Sequence, residues 1–421
     1  MTQSSARPVH CPHPQFPVHD HCLHIGGVPV TELARRIGQT PFYAYDSALI
    51  DQRIQTLRDR LPAALRLNYA VKANPMPELV AHLAPRVDGF DVASAGELNT
   101  ALASGKSAAD ISFTGPGKGL DELQAALTAG AIINLESGTE LQRVAELGQK
   151  LGIRPRVTLR VNPDFELKSS GMRMGGGAKP FGIDAERIPA ALKETRQQGL
   201  DFLGFHIFSG SQNLRAEAIV EAQNATFALA RRLAEHAPTP VRLLNIGGGL
   251  GIPYFPGDQP LDLGPIADNL HRLCDDAHTA LPEAGIVLEL GRYLVGEAGI
   301  YVCRVLDRKL SRGQVFLVTD GGLHHHLAAS GNFGQVIRKN YPVVIGNRMD
   351  SEHRETASVV GRLCTPLDLL ADRMDLPRAE PGDLVVILHS GAYGLSASPI
   401  AFLGHPLPPE VLLGAADQAV R

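Results

Sequence analysis

One lysine stands where a lysine is costly. The apolar, strand-like run Leu65-Arg66-Leu67-Asn68-Tyr69-Ala70-Val71 ends on Lys72. Burial among apolar neighbours penalises an ammonium and lowers its pKa, which suits an amine meant for Schiff-base chemistry. A solvated lysine at a strand exit would look the same, so spacing alone leaves both readings open. The run Gly247-Gly248-Gly249 follows another apolar stretch. Its N–H groups can approach an anion closely and cradle a phosphate, although glycine runs also make plain turns. Arg292 could add charge-assisted bonds to the same phosphate.

These residues recur at one place in a repeating pattern. Short β-branched runs lie at 65–72, 87–94, 111–115, 131–137, 156–163, 203–210, 241–248 and 286–291. Amphipathic stretches such as 138–152 and 215–237 separate them. Eight strand candidates in roughly 230 residues suit a (β/α)8 barrel, which needs about 250. A doubly wound open sheet is the alternative, though it is usually smaller for this many units. Barrel sites sit at the C-terminal ends of the strands. Lys72, Asp91, Ser94, Glu97, Arg160, Asn162, His206, Ser209, Ser211, Gly247, Gly248, Gly249, Glu289 and Arg292 all fall there.

After residue 296 the texture changes to strand-like runs without long helices. The predicted organisation is an N-terminal arm at 1–44 that contributes to a β domain, a barrel at 45–295, and a mostly-β domain at 296–421. Within the arm, VTELARRIG predicts a short helix. The 421 residues carry a net charge of -4, which gives no reason to expect nucleic acid or an anionic membrane as partner. No apolar run nears the roughly 18 residues of a membrane span, and no apolar leader opens the chain. Five scattered cysteines suit reduced thiols and a cytoplasmic location. His324-His325-His326 and the N-terminal Cys/His set lack a recognised zinc spacing, so no metal is expected. The histidine run could instead touch substrate.

The order and spacing of eight short stretches resemble the fold-type III pyridoxal-phosphate (PLP) decarboxylases, which include the diaminopimelate and ornithine decarboxylases. The stretches are YAVKAN (69–74), FDVASAGEL (90–98), RVNP (160–163), GSQ (210–212), NIGGGLG (245–251), ELGRYLVG (289–296), GRLCTPLD (361–368) and GAYG (391–394). The resemblance implies a PLP-binding TIM-type barrel with a C-terminal β domain, and a cytoplasmic homodimer with its sites at the interface. It implies that Lys72 forms the aldimine and that Glu289 keeps the pyridine nitrogen protonated. Asp91, Arg160, Phe208, Ser211, Gly248, Gly249, Gly291, Arg292 and Tyr393 would hold the cofactor, and Cys364 would protonate the carbanion. A racemase of this fold would place arginine where Glu289 stands, and a non-catalytic homologue would have lost the cofactor residues.

Three positions depart from the family. Leu290 replaces a proline in Glu-Pro-Gly-Arg. Phe208 stands where a histidine normally stacks on the PLP ring, with His206 two residues earlier. Thr365 replaces the acidic residue that pairs with a substrate's distal amine, and a hydroxyl replaces a carboxylate poorly there. Asp368 is an alternative source of that charge. Stretches 169–182, 205–214, 320–342, 361–368 and 390–406 are similar to the exosortase-associated decarboxylases and to the decarboxylase of a carrier-bound glutamyl group. A carrier-tethered or acidic substrate follows from that similarity, with Arg338 or Lys339 and Tyr341 on a distal carboxylate, and Thr365 beside them. Diaminopimelate is the alternative substrate.

Overall fold

A computed structural model describes residues 8–165, 172, 173 and 175–414. The chain divides into two compact units. Residues 53–252 and 261–294 form one, and residues 1–52, 253–260 and 295–421 contribute to the other.

The first unit is a closed barrel of eight parallel strands: Arg66–Ala70, Gly89–Val92, Ile111–Phe113, Ile132–Leu135, Arg156–Asn162, Asp201–Ile207, Leu243–Gly248 and Gly285–Leu290. Each pairs with the next. The eighth returns to the first with Glu289 opposite Asn68, which closes the ring. All eight lie within or beside the runs predicted from β-branched composition. Strand residues alternate in character, as a half-turn per residue requires. Leu67, Tyr69, Phe90, Ile133, Leu159, Phe205, Leu244 and Leu288 are buried and apolar. Between them fall Asn68, Asp91, Ser112, Asn134, Thr158, Arg160, His206, Asn245 and Glu289, which are also buried.

This second set bonds within itself. Asn68 Nδ2 donates to Asp91 at 3.2 Å, and Asn134 Nδ2 to Ser112 Oγ at 2.7 Å. Thr158 donates to Asn134. A small void is lined by Asn68, Ser112, Asn134, Thr158 and Asn245 together with apolar Val287. The barrel interior is therefore a polar network bonded only in part: among the described residues Asn68 Oδ1 and His206 Nδ1 are buried without a hydrogen-bond partner. Helices start immediately after the strands. Ser94 accepts from Glu97 N–H and Ser137 from Glu140 N–H, both as N-caps. Ser94, which falls among the sequence-predicted strand-end residues, is occupied by that capping role.

The second unit is built on an eight-stranded sheet. Its spine is Gly299–Ser311, paired antiparallel with Leu384–Ile387, Phe42–Asp46 and Gln314–Thr319. Val343–Ile345, Arg354–Val360, Leu369–Pro377 and Glu410–Leu413 complete it. The predicted helix forms at Val30–Ile37. The arm before it is more regular than its composition suggested. Val18–His19, Cys22–Ile25 and Val28–Pro29 make a small antiparallel sheet. Cys22, Leu23, Ile25, Val30 and Leu33 pack into a core with Phe42, Ile300, Val302 and Val386.

Candidate active site

The first strand ends in a single tight turn, Val71–Ala73. Val71 and Ala73 are buried within it while the Lys72 side chain remains 43% exposed. The turn aims Lys72 Nζ at Glu289 Oε1, 3.2 Å away on the eighth strand. Glu289 is otherwise enclosed. Its Oε2 accepts from Asn245 Nδ2 on the seventh strand at 3.3 Å, and His206 Nε2 on the sixth lies 3.1 Å from the same oxygen. Side chains from the ends of three other strands thus converge on one carboxylate. Burial opposes its ionisation, but Lys72 and His206 outweigh burial and hold it below the usual carboxylate range.

Asp91, on the second strand, behaves oppositely. Burial and the charge of Glu289 push it well above the ordinary range, against the pull of Lys72 and the bond from Asn68. Two neighbouring carboxyl groups pushed in opposite directions mark a site where charge is arranged rather than merely tolerated. His206 is lowered by burial, opposed by its contact with Glu289. Glu97 is raised by burial, partly offset by the N–H of Ala93.

The glycine run closes the seventh strand and lies against the eighth. Gly248 pairs with Glu289 so closely that a Cβ would sit 2.0 Å from the Glu289 carbonyl oxygen. Gly249 has φ +80°, and a Cβ there would meet the Gly210 carbonyl at 2.5 Å. Only glycine serves at either position. Ser211 follows Gly210 directly and is half-buried. Gly291 packs on the lysine turn, its Cβ position 2.9 Å from Ala73 Cβ. Arg292, buried, opens the short helix Arg292–Val295.

Phe208 and His206 take different places. His206 is buried beside Glu289, inside the barrel. Phe208 is only half-buried and covers Gly247, whose Cβ would fall 2.8 Å from its ring. Arg160 is committed to a partner absent from the sequence reading: its Nη1 lies 2.8 Å from Glu136 Oε1. Glu136 also accepts from Gly115 and Gly182 N–H, so it pins three strand-end segments. Glu136 and Asn245 were not singled out by sequence. Their signal is parity, since Asn245 falls on an inward position of its strand and Glu136, one residue past the fourth strand, keeps the phase of Asn134.

The predicted residues beyond position 296 belong to the other unit. Cys364 is exposed on the turn between the strands Arg354–Val360 and Leu369–Pro377. Beside it Thr365 Oγ1 accepts from Leu367 N–H at 3.3 Å. Asp368, the alternative partner for a distal amine, is taken by backbone N–H groups. It accepts from Leu323 at 2.7 Å and from Leu363 at 2.9 Å, and it is buried. Tyr393 is half-buried at φ 53°. Arg338 bonds the Ser330 carbonyl at 3.1 Å and Asn340 Oδ1 at 3.4 Å. Tyr341 is buried against Tyr254 and His326, and Lys339 Nζ lies over the Phe255 ring. The three histidines 324–326 lie in a buried turn and not on a strand. The predicted stretch 169–182 is partly outside the described residues.

Residues 47–296 match the pyridoxal-binding domain of the pyridoxal-dependent decarboxylases. The chain belongs to that family. It is 40% identical to the L-glutamyl-(BtrI acyl-carrier protein) decarboxylase of Niallia circulans, over 93% of this chain and 92% of that protein. It is 33% identical to a diaminopimelate decarboxylase of Aquifex aeolicus, over 91% and 89% respectively. Among solved structures, diaminopimelate decarboxylase of M. jannaschii in complex with L-lysine superposes with a TM-score of 0.86 at 25% identity, covering 95% of this chain and 93% of that one. The protein is a PLP-dependent decarboxylase with a barrel and a separate β domain. Its donor set suits the cofactor group by group. Lys72 offers an amine to an aldehyde, Glu289 a buried negative charge to a ring nitrogen, and the glycine turn with Ser211 and Arg292 donors to a phosphate.

Proposed function

We propose that this decarboxylase acts on an aminoacyl group that carries no distal ammonium and is presented on a carrier protein, with Lys72, Glu289 and Cys364 as its chemical residues. One observation carries the substrate reading. The turn that bears Cys364 offers no free carboxylate, because Thr365 follows the cysteine and Asp368 is spent on two backbone N–H groups. An ammonium brought there would lose its water and gain no counter-charge, at a cost of several kcal/mol. The 40% likeness to a carrier-bound glutamyl decarboxylase supports the same class. Arg338, whose described hydrogen bonds go to neutral oxygens only, supports an acidic or carbonyl group at the far end of the substrate, with Tyr341 two residues past Lys339.

Bound PLP supplies an electron sink for the pair left on Cα when CO2 departs. The chain's own residues do the rest. Lys72 holds the cofactor by its amine. Glu289, kept ionised, stabilises a proton on the ring nitrogen. Asp91, kept neutral, adds no second negative charge beside it. Phe208 presents a ring face at the rim, and the Cys364 thiol delivers the proton to Cα. The working form is a cytoplasmic homodimer. Exposed Phe333, Val336, Ile337 and Leu367 on the β unit support a partner copy. An exosortase-linked pathway is one setting for such an enzyme.

The test is CO2 release from PLP-loaded protein given glutamyl-carrier protein, free glutamate and diaminopimelate. Release from the carrier-bound group at least tenfold faster than from diaminopimelate is expected. Comparable turnover of diaminopimelate would overturn the reading.

A further inference from the structure

The turn Gly361–Asp368 carries Cys364 on its exposed part, and one buried carboxylate determines its shape. Asp368 Oδ2 accepts Leu363 N–H from within the turn at 2.9 Å. Its Oδ1 accepts Leu323 N–H at 2.7 Å, from the separate buried turn that runs through His324, His325 and His326. The main chain closes the loop: Gly361 N–H donates to the Asp368 carbonyl at 3.0 Å, and Asp368 N–H to that of Thr365 at 3.3 Å. The fit is close enough to demand glycine on both sides. A Cβ on Gly322 would lie 2.4 Å from Oδ1, and one on Gly361 would lie 2.1 Å from Oδ2.

The histidine turn is itself tied elsewhere in the β unit. His326 Nε2 lies 3.0 Å from Ser390 Oγ, just ahead of the loop that carries Tyr393. His325 Nε2 lies 3.1 Å from the Pro406 carbonyl, and Leu327 N–H donates to Ser398 Oγ at 3.0 Å. Among the described residues no lysine or arginine pairs with Asp368, so its charge serves no ion pair. Its chemistry is that of an acceptor with two separate oxygens, each given to a different segment. An asparagine has one such oxygen and would turn an N–H against the second donor.

We propose that Asp368 is a positioning residue for the decarboxylation: by clamping the Cys364 turn to the histidine turn, it sets where the Cys364 thiol stands. This rests on the reading of Cys364 as the proton donor. A donor displaced by about an ångström loses on the order of a hundredfold in rate without a matching loss of binding.

The experiment compares Asp368→Asn and Asp368→Glu with the wild-type holoenzyme by hydrogen exchange and by steady-state kinetics on the best substrate of the panel above. Asp368→Asn is expected to lose amide protection in the segments around Leu323 and Leu363, with the barrel segments unchanged. Its kcat should fall at least about tenfold, with KM within about twofold. Asp368→Glu should not rescue it, because neither glycine leaves room for another methylene. Unchanged protection in both segments overturns the proposal. So does protection lost across both units, which would make Asp368 a stability residue only. Cys364→Ala is run in parallel. Full turnover in that variant removes the proton-donor reading, while the exchange data still decide whether Asp368 clamps the two turns.

Discussion

Glu289→Gln isolates the charge at the centre of the barrel. The substitution keeps shape and volume. An amide oxygen in the place of Oε2 still accepts from Asn245 and from a His206 Nε2–H, while the amide nitrogen faces Lys72, so the fold should survive. Lys72, 43% exposed, recovers water in place of its partner. What disappears is a negative charge that holds a cation at 3.2 Å. At an effective dielectric near 20, that range corresponds to about 5 kcal/mol, and a charge-assisted hydrogen bond measured by mutation gives about 1.5–3 kcal/mol. A loss of about 3–5 kcal/mol from the transition state predicts a fall in kcat of about 10² to 10⁴-fold. Single-turnover CO2 release reads the chemical step directly, and titration of the apo-protein with PLP checks that the cofactor still binds. A variant within threefold of wild type under saturating PLP would refute the role assigned to Glu289.

Asp91→Asn mimics the neutral carboxyl and should leave kcat at pH 7 within about threefold of wild type. A carboxyl raised in the folded state contributes stability that is complete below its unfolded pKa and lost as pH climbs toward its folded pKa. The variant should therefore gain melting temperature at pH 8 relative to wild type and gain none at pH 4, a comparison made by thermal unfolding of the apo-protein. Gly248→Ala forces a methyl to within 2.0 Å of the Glu289 carbonyl unless the turn shifts. A loss of about 1–3 kcal/mol in urea unfolding is expected, together with weaker PLP binding.

The barrel was legible because each of its strands packs an apolar face outward, and β-branched runs show this without knowledge of neighbours. The arm was not. Strands of two to four residues, broken at Asp20-His21 and Gly26-Gly27, carry too little periodicity to register. Leu369–Pro377 hid for another reason: Arg373 and Asp375 are exposed and half-buried Asp372 precedes them, so charges interrupt the apolar pattern. Lys72, Glu289 and the glycines were visible as types at strand ends. Asn245, Glu136 and the placement of His206 were not, since their meaning lies in which side chain arrives from another strand. Asp368 shows the limit most directly. As a letter it offered a charge to the substrate, and only its two N–H partners reveal that the charge is already engaged.

The pairing of Phe42–Asp46 with Gly299–Val302 has a consequence for synthesis. At roughly 5–20 residues per second, the ribosome needs about 13–50 s to make the roughly 250 residues that separate the two strands. Through that interval Phe42, Tyr43 and Tyr45, all buried in the finished molecule, have no spine strand to cover them. The barrel can be complete and closed while this strand still waits at the N-terminal end of the nascent chain. The second unit therefore cannot form early, and a ribosome-bound chaperone would find its natural target in residues 42–46.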